Sequence, residues 1–413
     1  MTTCLVRRLL FTALLCLLLV AAAPADSNFF LKDGDTVDFY GDSITEQRLY
    51  TTYTEAFVAT RYPDLKVTFY ARGVGGDTTW GGWMGTSEVR VKRDVKPDKP
   101  TVITVMLGMN DAGYVPYDPK ILATYQEWYG KLIGFLQAAA PRARFTLIGT
   151  SPYDQWAHPE AERKGYNDTL LKYVDHVKWR AEQHHFGFVD FNAPVTNAIQ
   201  AALAANDPKA NTFVPDTIHP GPSGQLVMAA ALLKGWNANG VVSDVVIDAA
   251  SGSVTKAENA CVFKFKDLAW SQKDHALPFP ADESMELALK YSDFTDALNR
   301  QMLTVRGLQT GKYRLEIDGK AVVELPAEDW AKGVNLAVLD TPMRAQASKV
   351  LAETVKRNDA LFTRWRNVEF QLADYRASKQ AAAALKKVEK EIARKRHNLA
   401  QPQKHEYKLV KIQ

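Results

Sequence analysis

The sequence predicts an α/β fold in which a parallel β-sheet is covered by helices. Five apolar, β-rich segments alternate with helix-like segments along the first half of the chain. Strands that alternate with helices in this way pair in parallel, with helices on both faces of the sheet. The 413 residues are 46% hydrophobic and 24% charged. This composition is typical of a globular protein and excludes a disordered, collagen-like or multi-span membrane chain.

The predicted strands and helices follow one another in regular order. The strands cover residues 36–40, 66–71, 101–107, 144–150 and 187–191. The helices cover residues 50–61, 119–139, 160–184 and 223–236. Pro119 opens the second helix and Pro141 follows its end, because proline suits the first turn of a helix and cannot continue one.

The first 25 residues have the pattern of a secretory signal peptide. Arg7 and Arg8 precede an apolar run over residues 9–20, and Ala23-Pro-Ala25 supplies small residues for cleavage. An uncleaved signal anchor is the alternative, but the run is shorter than the roughly 20 apolar residues that span a bilayer. We expect a secreted or periplasmic product with no membrane span after cleavage, in which Cys261 is the one remaining cysteine.

The alternation of strands and helices ends near Val246. Farther along, Asp318-Gly319 joins two strand-like segments, residues 312–318 and 321–325, and predicts a tight hairpin because both residues tolerate positive φ. Beyond Thr341 the sequence is mostly helical and polar. We therefore divide the chain into a signal peptide (1–25), an α/β domain (26–246), an accessory region with a β-hairpin (247–340) and a basic helical region (341–413).

Charge is distributed unevenly along the chain. The net charge of +4 does not indicate nucleic-acid binding. Residues 376–413, however, contain eleven Lys or Arg against three Glu. Leu385, Val388 and Ile392 follow at helical spacing and predict one amphipathic helix with a solvated basic face. Attraction of that face to an anionic polymer is the alternative to simple packing on the body of the protein.

Two short motifs follow the first two strands, where loops of a parallel sheet converge on a ligand site. Gly41-Asp42-Ser43 places a serine hydroxyl at a helix N-terminus, which favours developing negative charge; capping of that helix is the alternative role. Gly73-Val-Gly-Gly76 lets the backbone approach a substrate and donate an N–H to an oxyanion. A dinucleotide-binding loop does not fit, because Thr78 stands where the last glycine of that fingerprint belongs.

Two further motifs supply a donor and a base. Asn110, in Gly-Met-Asn-Asp, offers a neutral amide that can donate to an oxyanion, although Asn-Asp also favours a plain turn. His219 follows Asp216 by three residues, so the carboxylate can hold the imidazole as a base for the serine. The other seven histidines lie in polar or charged segments, and we expect them at the surface.

In this order the four motifs resemble those of the SGNH (GDSL) hydrolase family, over about residues 36–240. The resemblance implies a flavodoxin-like three-layer α/β/α fold and ester hydrolysis without a cofactor or a metal. The implied catalytic residues are Ser43, Asp216 and His219, the oxyanion-hole residues are Ser43, Gly76 and Asn110, and the supporting residues are Asp42 and Asp111. Ile44 stands where many members carry leucine, a conservative exchange. The sequence lacks a Gly-x-Ser-x-Gly motif, which argues against an α/β-hydrolase.

We expect a secreted serine esterase that hydrolyses carboxylic esters, with short-chain acetyl esters of carbohydrates as the favoured substrates. Trp80 and Trp83 offer flat aromatic surfaces for a sugar ring, although packing under the glycine-rich loop would use the same residues. A lipid-directed acylhydrolase or thioesterase, and an inactive module that binds an envelope polymer, are the alternatives. The expected partner is a small-molecule or polysaccharide ester and not a nucleic acid. The sequence does not predict the oligomeric state.

Overall fold

The structure is a computed structural model that describes residues 28–412, and its first half contains a five-stranded parallel β-sheet. The strands are β1 (Thr36–Gly41), β2 (Thr68–Gly73), β3 (Val102–Met106), β4 (Arg144–Gly149) and β5 (Gly187–Asp190). Their spatial order is β2-β1-β3-β4-β5, with Val37 opposite both Phe69 and Val102. This is the order of flavodoxin-like sheets, whose sites lie beyond the strand carboxyl ends.

Long helices flank this sheet and complete the predicted α/β layers. They are α1 (Leu49–Arg61), α2 (Pro119–Ala139), α3 (Tyr166–His184), α4 (Asn192–Ala204) and α5 (Pro222–Gly235). Strand β3 is buried along its whole length, as expected for a strand covered on both faces. The predicted α/β fold with a parallel sheet is confirmed. The predicted signal peptide lies outside the described residues.

Two helices differ from the prediction. Helix α3 begins at Tyr166 and not at residue 160, because Gly165 before it has a left-handed backbone with φ of 86°. Helix α4 was not predicted, although its buried residues Val195, Ala198, Ile199 and Ala202 have helical spacing. Half of its apolar face consists of alanine, which marks a buried helix face only weakly.

The second half of the chain forms two further sheets. The four-stranded sheet contains β6 (Val241–Asp248), β7 (Ser253–Glu258), β10 (Arg300–Arg306) and the two-residue strand Val334–Asn335. The five-stranded sheet contains β8 (Ala260–Lys266), β9 (Ala269–Asp274), β11 (Lys312–Ile317), β12 (Lys320–Pro326) and β13 (Lys404–Lys411). Asp318 and Gly319 join β11 to β12 with φ of 53° and 76°, which confirms the predicted hairpin. The boundary suggested near Val246 falls inside β6, so a division of the chain there stays a proposal.

The C-terminal segment is helical up to its last strand. Helix α6 (Pro342–Phe362) continues into a π-helical segment (Thr363–Phe370) and is followed by α7 (Ser378–Ala400). Strand β13 is a departure from the predicted helical region 341–413. Its residues His405, Tyr407 and Leu409 are buried alternately with exposed neighbours, which is the period of a strand. No helix within residues 28–412 has both the length and the apolar composition that a bilayer span requires.

The C-terminal helices contact the α/β layers through a buried ionic group, which we call the interface cluster. It consists of Glu55 of α1, Arg357 of α6 and Arg396 of α7. Glu55 and Arg357 lie 3.0 Å apart with side chains 1% and 5% exposed, and Arg396 also pairs with Glu55. Burial opposes the charge of Glu55, but the two guanidinium groups outweigh it and lower its pKa. The interface cluster therefore joins elements that lie far apart in the sequence.

Candidate active site

Ser43 lies directly beyond the carboxyl end of β1, at the first position of the short helix Ser43–Glu46. The preceding residue, Asp42, caps this helix by accepting the N–H of Ile44 at 3.0 Å. Asp42 therefore caps the helix, and the Ser43 hydroxyl can bond to another partner. That partner is His219, whose Nε2 lies 2.8 Å from Ser43 Oγ.

His219 is held by Asp216, the carboxylate three residues earlier. Asp216 Oδ2 lies 2.7 Å from His219 Nδ1, while Oδ1 accepts the backbone N–H groups of Ile218 at 3.0 Å and His219 at 2.7 Å. Partial burial opposes the charge of Asp216, but these hydrogen bonds outweigh it and lower the pKa of the carboxyl. An ionised carboxylate on Nδ1 leaves Nε2 facing the serine, which is the arrangement of a general base.

Ser43, His219 and Asp216, which we call the triad, lie in an open site. The His219 side chain is 33% exposed and that of Asp216 is 57% exposed. Residues separated by 176 positions in the chain thus meet at the surface, within hydrogen-bond distance of each other. Chemically, this set can activate a serine hydroxyl for attack on a carbonyl carbon.

The glycine-rich loop after β2 reaches the same place. A Cβ added at Gly75 would lie 3.9 Å from Ser43 Cβ, so the loop backbone passes close to the serine. The Gly75 N–H donates to Glu46 at 2.5 Å, whereas no hydrogen bond from the Gly76 N–H is formed within residues 28–412. Gly76 has φ of 74°, a conformation that favours glycine. Its N–H is therefore available to a substrate atom.

Asn110 lies on the loop after β3 with its amide held at both ends. Its Nδ2 donates to the carbonyl oxygen of Asp77 at 2.9 Å, and its Oδ1 accepts the hydroxyl of Tyr114 at 2.9 Å. Because the oxygen end is engaged by Tyr114, the NH₂ end is fixed toward the residue that follows Gly76. One amide hydrogen remains after the bond to Asp77, and it can serve an oxyanion.

Two further carboxyl groups lie on the loops of the site. Asp42 is buried and Asp111 is half-buried, and Asp111 accepts the N–H and the hydroxyl of Thr79 at 2.8 and 2.7 Å. Burial raises the pKa of Asp42 to about 7 and that of Asp111 to about 6. Asp42 shapes the turn that carries Ser43, and Asp111 ties the loop after β3 to the loop after β2. Both thus hold loops of the site, and the hydrogen-bond partner of the Ser43 hydroxyl is His219 and neither of these carboxyl groups.

Several supporting residues were missed by sequence reasoning. Arg90, which is fully buried, pairs with the Asp77 side chain and so anchors the residue whose carbonyl binds Asn110. Tyr114 orients Asn110 by donating its hydroxyl to the amide oxygen. The histidines were expected at the surface, yet His158, His176 and His405 are buried. His158 lies 2.9 Å from the carbonyl oxygen of Val214, so it steadies the loop that carries the triad histidine.

The described part of the chain contains no cluster of three or more His, Cys, Asp or Glu side chains that could hold a metal ion. The predicted site residues come from four loops, and the structure brings the loops of Ser43, Gly76 and Asn110 together with the segment that carries Asp216 and His219. Their catalytic roles remain a prediction.

Comparison with known proteins extends these observations. Residues 39–227 match the model of the GDSL-like Lipase/Acylhydrolase family. A solved structure described as a gut microbial diltiazem-metabolizing enzyme is 25% identical, with a TM-score of 0.81, covering 92% of this chain and 98% of that chain. An acetylxylan esterase from Geobacillus stearothermophilus is 23% identical, with a TM-score of 0.40, covering 50% of this chain and 96% of that chain. No curated protein matches the sequence at a significant level. The first likeness includes the accessory sheets and the C-terminal helices.

Proposed function

We propose that this ester-bond hydrolase, whose residues 39–227 belong to the GDSL-like lipase/acylhydrolase family, uses Ser43 as its nucleophile and His219 as its general base. The single observation that carries the proposal is the continuous hydrogen-bonded chain from Ser43 Oγ to His219 at 2.8 Å and from His219 to Asp216 at 2.7 Å. A serine hydroxyl is a weak nucleophile until a base takes its proton, and this geometry supplies the base.

The reaction proceeds in two halves. His219 Nε2 takes the proton of Ser43 as Oγ bonds to the ester carbonyl carbon, and the carbonyl oxygen becomes an oxyanion. The N–H groups of Ser43 and Gly76 and the Asn110 amide hold that oxyanion. The tetrahedral adduct then expels the alcohol, which takes the proton from His219, and an acyl-enzyme remains. His219 then deprotonates a water molecule that attacks the acyl carbon, and it returns this proton to Ser43 Oγ as the acyl carbon–Oγ bond breaks and the carboxylic acid leaves.

We further propose that the favoured substrates are short-chain acetyl esters of carbohydrates. The exposure of His219 and Asp216 supports a substrate whose bulk stays outside the protein while a small acyl group reaches Ser43. Aromatic side chains on the loops after β2 and β3 are exposed as well, including Trp80 at 48% and Tyr117 at 49%. Flat, exposed aromatic rings with a polar tip suit the apolar faces of a sugar.

A substrate panel tests this proposal. Purified protein is assayed with p-nitrophenyl acetate, p-nitrophenyl palmitate, acetylated xylan and diltiazem, the last because the structurally similar enzyme metabolises it. Ser43→Ala serves as the matched control. Hydrolysis of acetyl esters and of acetylated xylan, absent in Ser43→Ala, supports the proposal. A preference for palmitate would replace it with a lipid-directed esterase. If no ester is hydrolysed, the result would favour the alternative of an inactive module that binds an envelope polymer.

We also propose that the product is exported, on the strength of the basic start and apolar run before Ala25. Expression of the full chain in a bacterial host, followed by mass determination of the purified product, tests the idea. A mass that lacks the first 25 residues supports export with cleavage. A mass that retains the apolar run, with the protein in the membrane fraction, would instead support an anchor.

A further inference from the structure

The peptide group between Gly75 and Gly76 contains the proposed oxyanion donor, which is the Gly76 N–H, and a carbonyl oxygen that already accepts a hydrogen bond. The Gly75 carbonyl oxygen accepts the indole N–H of Trp83 at 3.1 Å. Peptide units are planar, and in the trans form the N–H points opposite to the C=O. All peptides within residues 28–412 are trans. The bond from Trp83 therefore sets the direction in which the Gly76 N–H points.

This peptide needs an external anchor. Glycine on both sides leaves the backbone more freedom of rotation than any other pair of residues would. A donor that rotates away from the oxyanion loses its effect, because stabilisation depends on donors that are already oriented before the reaction. The hydrogen bond from Trp83 restricts rotation of the Gly75–Gly76 peptide by holding its carbonyl oxygen. The hydrogen bond from the Gly75 N–H to Glu46 at 2.5 Å holds the backbone on the N-terminal side of that peptide.

Trp83 is itself held by the C-terminal segment. Its side chain is 60% exposed, so burial does not fix the ring. Instead the guanidinium of Arg366 lies 5.2 Å from the ring centroid, and Phe370 meets the ring edge-to-face at 5.7 Å and 74°. Cations and aromatic edges in these positions attract the face of an indole. Both contacts come from the π-helical segment Thr363–Phe370.

Arg366 also reaches the other anchor of the loop. It pairs with Glu46 at 2.7 Å, and it donates to the carbonyl oxygen of Gly73 at 3.0 Å. Glu46 in turn accepts the Gly75 N–H, so one buried guanidinium supports both ends of the glycine-rich loop. A planar guanidinium can stack on an indole and bond a carboxylate at the same time, which an ammonium cannot do.

We infer that Trp83 is a positioning residue that aims the Gly76 N–H at the oxyanion, and that Arg366 of the C-terminal segment holds Trp83 and Glu46 in place. This assigns part of the region beyond residue 246 to catalysis by the site of the α/β domain. The inference rests on the proposed esterase function.

Trp83→Phe tests the inference most simply, because phenylalanine keeps an aromatic ring for Arg366 and Phe370 but lacks the N–H. The matched control is Trp179→Phe, an exposed tryptophan on α3 that contacts His176 and Arg180 and not the glycine-rich loop. With p-nitrophenyl acetate, kcat of Trp83→Phe should fall about threefold to tenfold while KM stays within about twofold. Inhibition by phenylboronic acid, which forms a tetrahedral adduct on the serine, should weaken by the same factor. Trp179→Phe should match the wild type in each measurement.

Arg366→Lys gives a second measurement, since it keeps a positive charge beside Glu46 but loses the planar stacking. Its kcat should fall as well, and the double variant Trp83→Phe/Arg366→Lys should lose less than the product of the two single losses, because both act on one peptide. Unfolding midpoints of all variants are compared with the wild type to confirm that the fold is retained.

Three outcomes are distinguishable. Full kcat in Trp83→Phe, or a rise in KM with kcat unchanged, overturns the inference, since the latter marks a ring that only binds the substrate. If the fold-loss of kcat in the double variant equals the product of the two single fold-losses, the role assigned to Arg366 is overturned. Failure of the wild type to hydrolyse any ester would instead overturn the proposed function.

Discussion

The triad and the interface cluster each contain a carboxylate and a nitrogen base, in very different surroundings. Both groups bring together residues far apart in the sequence, Ser43 with His219 in the triad and Glu55 with Arg357 in the interface cluster. In the triad, Asp216 is 57% exposed and His219 is 33% exposed. In the interface cluster, Glu55 is 1% and Arg357 is 5% exposed. The proposed function thus assigns the chemistry to the pair that water and substrate can reach, whereas the buried pair joins distant elements of the fold.

Solvent access decides what each group contributes. Polar contacts at an exposed site are weakened by water and add little to the free energy of unfolding. A buried pair whose partner is removed leaves an uncompensated charge, which is strongly destabilising. Substitutions in the triad should therefore change the reaction and spare the fold, whereas substitutions in the interface cluster should do the reverse.

The largest effect is expected for His219→Ala. Loss of the base should lower kcat for p-nitrophenyl acetate by about 10⁴-fold or more, because the serine then lacks a proton acceptor. The free energy of unfolding, measured in urea, should change by less than about 1 kcal/mol. A variant that keeps a tenth of the wild-type kcat would contradict the assignment of the base.

The second effect concerns stability. Glu55→Gln leaves Arg357 and Arg396 buried without their counter-ion and should lower the free energy of unfolding by about 3–5 kcal/mol. The control is Glu127→Gln, which removes an exposed pair with Lys131 on α2, whose side chains are 63% and 44% exposed, and should cost less than about 1 kcal/mol. The kcat of the folded protein should be retained in both. Equal free energies of unfolding for the two variants would show that the interface cluster contributes no more to stability than an exposed ion pair.

Asn110→Ala removes one of the proposed oxyanion donors and should lower kcat by roughly 10²- to 10³-fold, which is about 2.7–4 kcal/mol. Tyr114→Phe keeps the donor but loses the hydroxyl that orients it, so its kcat should fall by less. KM should change little in either variant, because the oxyanion forms only after binding. An Asn110→Ala enzyme with wild-type kcat would remove this residue from the site.

The smallest effect is a pH dependence that comes from Asp42. Burial raises its pKa to about 7, against about 3.9 in an unfolded chain. Between these values the folded protein holds a proton that the unfolded chain has lost. The contribution of Asp42 to the free energy of unfolding is therefore complete below about pH 4. It declines as the pH rises toward 7, by up to about 1.4 kcal/mol per pH unit.

Asp42→Asn should flatten that decline, because the amide has no proton to lose and its oxygen can still cap Ile44. Urea unfolding at pH 5 and pH 7 measures the difference, with Asp175→Asn at an exposed position of α3 as the control. The control should show the wild-type dependence. An unchanged slope in Asp42→Asn would contradict a raised pKa at this position.

Much of the α/β region could be predicted from the sequence because its signals are local. Buried parallel strands are short apolar runs, and the motifs that contain Ser43, Gly76 and Asn110 each follow such a run within a few residues. Asp216 and His219 lie three residues apart, so their pairing was visible as well. Family resemblance then supplied the order in which the motifs belong together.

The parts that were missed depend on contacts between distant segments. Arg366 binds the carbonyl of Gly73 from 293 residues away, and no local pattern marks either residue. The N–H of Trp83 and the hydroxyl of Tyr114 could bond to many acceptors, and only the fold selects Gly75 and Asn110. Strand β13 did carry an alternating pattern, but it stands at the end of a basic helical segment whose charge dominates the composition.

Covalent labelling with a fluorophosphonate tests whether His219 activates Ser43. The reagent reacts with an activated serine, and the modified peptide is located by mass spectrometry. The wild type should carry one label, on Ser43, with the rate of labelling greatly reduced in His219→Ala and the label absent from Ser43→Ala. A label on another serine, or full esterase activity in a protein whose Ser43 stays unlabelled, would contradict the account.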